Sequence, residues 1–266
     1  MRRPYLVHHV SPQSLPEILA VKGDRPWFWL AAAWRDFTQA PAISMVYGLL
    51  VTLVFQLVTL LLGSIQLYYL AVGVMAGFVL LAPVLAVGLY EIARRREGEL
   101  PVALIDTWVG WHRNAVSTLG LGVLLVLLML SWFMLSMDFT ALLIGNADVL
   151  AVAFGGAQDL PTFIGSITWP MIVAFGVSGA VAAAVVFVLT AVSVPLLMDR
   201  PDMDVITAVV ASVRVCIRNR HVMALWAVLI VVFTTVSVLP LYLGLVVTFP
   251  LLAYASWHGY RELLGD

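Results

Sequence analysis

A chain of 266 residues that is 62% hydrophobic and only 11% charged, with a mean hydropathy of +1.03, carries more apolar surface than one globular core can hide. Such a composition excludes a soluble domain and gives no indication of nucleic-acid binding; the net charge of −1 averages a basic face with a weakly acidic one. The single cysteine, Cys216, leaves neither a disulfide framework nor a paired-thiol metal site.

An ionisable side chain at the centre of a bilayer is costly, so stretches free of Asp, Glu, Lys and Arg mark the membrane spans. The N-terminus, Met1 to Tyr5, has a charged start but no apolar run before about Trp27, which is not the pattern of a signal peptide. Residues 1–26 therefore read as a cytoplasmic tail, and residues 27–260 as the transmembrane domain. Phe37 to Tyr90 is long enough for two spans, 41–62 and 67–90, turning at Gly63-Ser64. Ala115 to Met137 holds a third, 115–137. Residues 138–168 are apolar but broken by Gly145-Asn146, Gly155-Gly156 and Pro161, which suits a short interfacial or re-entrant helix, or a docking surface for a membrane partner. A fourth span follows at 169–194, and Val222 to Tyr260 holds two short ones, 222–239 and 241–258, turning near Leu239-Pro240. Residues 261–266 form a second cytoplasmic tail. The expected fold class is all-α, a polytopic bundle of six transmembrane helices. Basic residues test that count: threaded this way, all 14 Lys and Arg fall on one side, whereas the opposite side receives acids alone. The positive-inside rule makes that side cytoplasmic, with both termini on it.

A threefold internal repeat is visible as interfacial helix, span, then a span with a proline near its inner end. The segments from Trp29, Val102 and Val205 each lead into an odd-numbered span, and Pro83, Pro195 and Pro250 mark the even ones. In the third leader Ile206, Val209, Val210, Val213 and Ile217 recur at helical spacing, with Arg214 and Arg218 on another face. Trp27, Leu30, Trp34 and Phe37 give the first leader a similar stripe, and Ile105, Trp108 and Val109 give the second a weaker one. Gly73 and Gly77, spaced as GxxxG, and the stripe Ala174, Ser178, Ala182 let backbones approach within the bundle or between copies. The three prolines each remove a helical hydrogen bond and are expected to kink their helices.

Candidate chemistry is sparse. His8, His9, His112, His221 and His258 all sit at or beyond the cytoplasmic boundary, where a buried haem or metal finds no convergent ligands. No catalytic, cofactor-binding or metal site is expected. Arg94, Arg95 and Arg96, with Arg113, Arg214, Arg218 and Arg220, are the candidate contacts to anionic lipid; anchoring of the topology accounts for the same residues, and Glu91 is placed to pair with Arg95 at i, i+4. Gln56, Thr52, Thr59, Ser131, Thr190, Ser193, Thr234 and Thr235 are the residues available to line a polar path, although hydroxyls in spans more often bond to the preceding turn.

Trp29-Leu-Ala-Ala-Ala-Trp-Arg-Asp-Phe37 with Tyr47-Gly48, Gly77-Phe78, Pro83, Gly88, Glu91 and Arg94-Arg95, then Pro195, Asp199-Arg200, Asn219, Trp226 and Trp257-His258, resembles a bacterial family of predicted integral membrane proteins classed as a domain of unknown function. Members are often labelled cytochrome c oxidase subunit I, a label that this chain does not satisfy, since it has neither intramembrane histidines nor enough helices. The resemblance implies fold and membrane location. The expected function is that of a non-catalytic accessory or assembly component of the bacterial inner membrane, near respiratory complexes. Lipids, and other membrane proteins or further copies of itself, are its expected partners. The alternative is a channel or carrier for a small neutral or lipid-like solute.

Overall fold

The computed structural model describes residues 16–144, 161, 164–165, 167–238 and 242–265. Its helices run in chain order as α1 (Arg25–Gln39), α2 (Pro41–Ser64), α3 (Tyr68–Leu85), α4 (Val87–Glu97), α5 (Asp106–Arg113), α6 (Ala115–Ile144), α7 (Trp169–Thr190), α8 (Ser193–Asp199), α9 (Val205–Arg218), α10 (Arg220–Val238) and α11 (Leu245–Leu263). Among the described residues the only extended pairing is an isolated bridge between Ile18 and Leu264.

Five stretches are long and apolar enough to cross a membrane: Pro41–Ser64, Gly77–Glu97, Ala115–Phe139, Trp169–Asp199 and Arg220–Val238. The protein is thus a multi-pass integral membrane protein. Where the sequence predicts a sixth span, α11 is a helix of 19 residues that carries Arg261 and Glu262, and 11 of its residues are buried. It is the central post of the bundle, packed on α1, α2, α4 and α10. The helices α2 and α11 approach closely at Gly48, where a Cβ would collide with the Val246 carbonyl oxygen.

The first turn comes later than Gly63-Ser64 suggests, because α2 continues through Ser64. The reversal is made at Gln66, with φ 61°, closed by the Leu67 amide donating to the Leu62 carbonyl at 2.8 Å. Two of the three prolines accompany breaks: α3 gives way to α4 at Ala86, three residues after Pro83, and α7 to α8 at Ala191–Val192, just before Pro195. Pro250 sits inside α11 with no interruption. The predicted turn at Leu239-Pro240 and the body of the 138–168 segment lie outside the described residues, although α6 itself extends to Ile144.

Short helices stand at all three predicted leader positions, and each joins its span through a single residue of similar backbone conformation. The joints are Ala40 (φ −136°, ψ 54°), Asn114 (φ −143°, ψ 63°) and Asn219 (φ −111°, ψ 34°). These leaders have two apolar faces where the sequence analysis recognises one. In α9 the predicted stripe faces outward, with Ile206 77% and Ile217 69% exposed, while Ala208, Ala211, Ser212, Val215 and Cys216 pack inward. In α1, Trp27 and Trp34 are exposed and Trp29, Ala33 and Phe37 are buried. In α9 mostly small residues serve the bundle and the large Ile206 and Ile217 are left for its surroundings, whereas α1 turns Trp29 and Phe37 inward.

Both small-residue stripes are used inside the bundle. A Cβ on Gly73 or Gly77 would strike Phe133 or Met129 of α6. Ser178, flanked by Ala174 and Ala182, accepts from the Trp132 indole at 3.2 Å and shares a 2.7 Å hydrogen bond with Ser136.

Candidate functional site: a polar lock at the charged end

One end of the bundle gathers nearly every charged side chain of the described residues, and the breaks just noted build it. Because α4 continues the second span past Ala86, it carries Glu91 and three arginines on successive turns. Glu91 is fully buried, which a carboxylate tolerates only with charge-assisted partners. Arg94 supplies two, with Nε to Oε2 at 2.8 Å and Nη2 to Oε1 at 2.7 Å, and Arg95 Nε donates to Oε1 at 3.0 Å. The expected Glu91–Arg95 pair is therefore present. Arg113 approaches the same carboxylate at 4.0 Å.

From this centre the network runs to the leaders α1 and α5 and to the inner ends of α8 and α11. Arg95 also reaches Asp106 at the start of α5, at 3.1 Å. Arg96 meets Asp36 of α1 at 3.4 Å, and the other oxygen of Asp36 is 2.7 Å from His258 Nε2 of α11. Arg113 Nε donates to the Met198 carbonyl at 2.8 Å, tying the entry of the third span to the exit of the fourth. Asp199 accepts from the Tyr260 hydroxyl at 2.7 Å, and Glu97 from the Trp257 indole and from Arg261, both at 3.1 Å. Glu262 accepts from the Trp29 indole at 2.7 Å and pairs with Arg25.

Asparagines finish the joints. Asn114 donates to the Met203 carbonyl at 2.8 Å. Asn219 accepts from the Val21 amide at 3.0 Å and donates to the Leu19 carbonyl at 2.9 Å, while Leu19 and Gly265 bond to Leu263 and Glu17, each at 2.9 Å. So residues 16–22, expected to belong to a free tail, form a strap that ties the two ends of the chain together.

The candidate lipid-contacting arginines divide into two groups. Arg94, Arg95, Arg96 and Arg113 are held by carboxylates of the lock. Arg214, Arg218 and Arg220 are exposed on α9 and the first turn of α10 and form no ion pair among the described residues. His112 and His221 are exposed too; His8 and His9 lie outside the described residues. Among the described residues no three His, Cys, Asp or Glu groups are close enough to share a metal ion. In the spans, Thr52, Thr190 and Ser193 donate to the carbonyl four residues earlier at 2.7–2.8 Å, which spends their polarity locally. Gln56 is half-buried, and its Oε1 has no hydrogen-bond partner among the described residues.

Apart from Glu91, the acids of the lock are not singled out by the sequence. Asp36 and Asp199 each stand directly beside an arginine near a span end, Arg35 and Arg200, and that adjacency is the available signal; Asp106, seven residues ahead of Arg113, offers none. Cys216 lies on the inward face of α9, where burial pushes its thiol up to about 12; it stays protonated and unreactive near neutral pH.

Fold and site together define the class: a polytopic helical membrane protein with a network of paired charges at one end of the bundle. Residues 70–199, covering the second span through the end of α8, match the family model described as "Predicted integral membrane protein (DUF2189)". No curated protein and no solved structure matches the chain.

Proposed function

We propose that the chain is a six-span, non-catalytic membrane protein of the bacterial inner membrane, with its charged end in the cytoplasm, and that it acts as an accessory or assembly component for other membrane proteins. The observation that carries this reading is the lock. Its carboxylates and arginines satisfy one another between α4, the leaders α1 and α5, and the inner ends of α8 and α11, an arrangement suited to holding a fold and leaving the lock's own acids and bases paired. The strap supports the even number of crossings, because hydrogen bonds between residues 17–19 and 263–265 require both chain ends on one side; the sixth crossing then falls to α11. The matched joints at Ala40, Asn114 and Asn219 support a threefold repeat. Exposed Trp27, Trp34, Ile105 and Trp108 beside the lock suit leaders that lie at headgroup depth, where an indole keeps its ring in the apolar layer and its N–H wet.

Purification of the tagged protein in mild detergent, followed by mass spectrometry of what travels with it, tests the accessory role. Stoichiometric recovery of one or a few membrane proteins is expected. Recovery of this chain alone would remove the proposal.

A further inference from the structure

A cavity of about 390 Å³ lies between α7 and α10, floored by α3 and α11. Ala180, Ala183 and Ala184 of α7 face Ala227, Val228 and Val231 of α10 across it. Such short side chains leave the gap unfilled, and packing between spans thins here although α7 packs firmly on α6 and α10 on α11. Apolar residues line nearly all of it; Tyr90, Thr190 and Ser256 gather at the charged end. A dry apolar void of this size is poor for water, which needs two or more polar partners. From Ala180 to Thr190 the wall rises about 15 Å at 1.5 Å per residue, half of a hydrocarbon core about 30 Å thick. The groove therefore serves one leaflet, the one at the charged end.

Charge at its mouth narrows the occupant. Arg220 and His221 open α10 seven residues ahead of Ala227 and Val228, and so stand on the same helix face about 10 Å nearer the headgroups. Both are exposed, with Arg220 Nε 3.4 Å from His221 Nε2 and no carboxylate paired to either among the described residues. This contrasts with Arg94, Arg95 and Arg96, whose charges are spent. We propose that the groove between α7 and α10 holds one acyl chain of an anionic phospholipid from the leaflet at the charged end, with its phosphate on Arg220 and His221. The proposal rests on the chain being a multi-pass membrane protein and is independent of the accessory role.

Native mass spectrometry of the full chain, delipidated and then offered equal dioleoyl-phosphatidylglycerol and dioleoyl-phosphatidylcholine, tests it. Wild type is expected to retain one phosphatidylglycerol, about fivefold above phosphatidylcholine, as one base at an anionic headgroup provides. Ala183→Phe and, separately, Ala227→Phe fill the groove from opposite walls and are expected to cut retention about tenfold. The double variant Arg220→Gln, His221→Gln is expected to keep a lipid but lose the headgroup preference. Leu57→Phe, on the exposed face of α2, leaves both unchanged. No retained lipid in wild type, equal retention of the two lipids, or undiminished retention in a folded Ala183→Phe or Ala227→Phe protein each overturns the proposal. If neither phenylalanine variant folds, wild type and the charge variant decide it.

Discussion

Glu91→Gln is the sharpest perturbation of the lock. The carboxylate is fully buried and receives three charge-assisted hydrogen bonds from Arg94 and Arg95 at 2.7–3.0 Å. Removing one partner of a buried ion pair costs about 3–5 kcal/mol, much of it from the charge left behind. Here the abandoned charges are arginines with about a quarter of their side chains exposed, 26% for Arg94 and 23% for Arg95, so water recovers part of the loss. A cost of about 3 kcal/mol follows, the low end of that range. At roughly 2–4 °C per kcal/mol for a chain of this size, the melting midpoint falls by roughly 6–12 °C. Cys216 provides the assay: its buried thiol reacts with a thiol-sensitive fluorophore only once the bundle opens, so a thermal ramp in detergent reports unfolding directly. A Glu91→Gln midpoint within about 2 °C of wild type would refute the claim that this carboxylate is the centre of the lock. Adding Arg94→Leu to Glu91→Gln removes one stranded charge and is expected to recover part of the loss.

The remaining expectations concern other links of the fold. Gly48→Ala forces α2 away from the Val246 carbonyl of α11 and is expected to cost about 1–3 kcal/mol, read by the same ramp. The Cys216 thiol, buried and held protonated, is expected to label with maleimide far more slowly at pH 8 in the native protein than after unfolding; equal rates would place it at the surface. Asp204 caps α9, and the hydrogen bonds from Thr207 hold its carboxyl below the usual carboxylate range. Because its folded pKa is depressed, the cap's contribution is complete above the unfolded carboxylate value of about 3.9 and is lost as pH falls through the folded one. Hydrogen exchange at Thr207 should therefore speed up relative to the rest of α9 only in acid, and Asp204→Asn should abolish that dependence.

Much of the architecture is legible in the sequence because charge spacing in a membrane chain is under a strong constraint. The spans beginning at Pro41, Ala115 and Trp169 appear where the uncharged runs place them, and the three leaders are helical where their stripes predict. Less legible is α11: its apolar run resembles the others, but its polar inner end and its burial on four neighbours are tertiary facts. The inward face of α9 escapes a search for large apolar residues because Ala208 and Ala211 do much of that packing. In the lock, a basic collar such as Arg94-Arg95-Arg96 reads alike whether it faces phosphate or carboxylate. Which of the two it meets depends on Asp36 and Asp106, each brought up by a separate helix. The strap was invisible for a related reason: Leu19 and Val21 acquire partners only when Asn219, some 200 residues away, arrives beside them.

Paired reporter fusions address the account most directly, since α11 decides whether the crossings are even or odd. With a fluorescent protein or alkaline phosphatase joined after Asp266, and the same pair inserted at Gly145, six crossings with a cytoplasmic charged end predict fluorescence without phosphatase activity at the C-terminus and the reverse at Gly145. Active phosphatase after Asp266 would contradict it, and active phosphatase at both sites would leave α11 uncrossed and the strap unable to form.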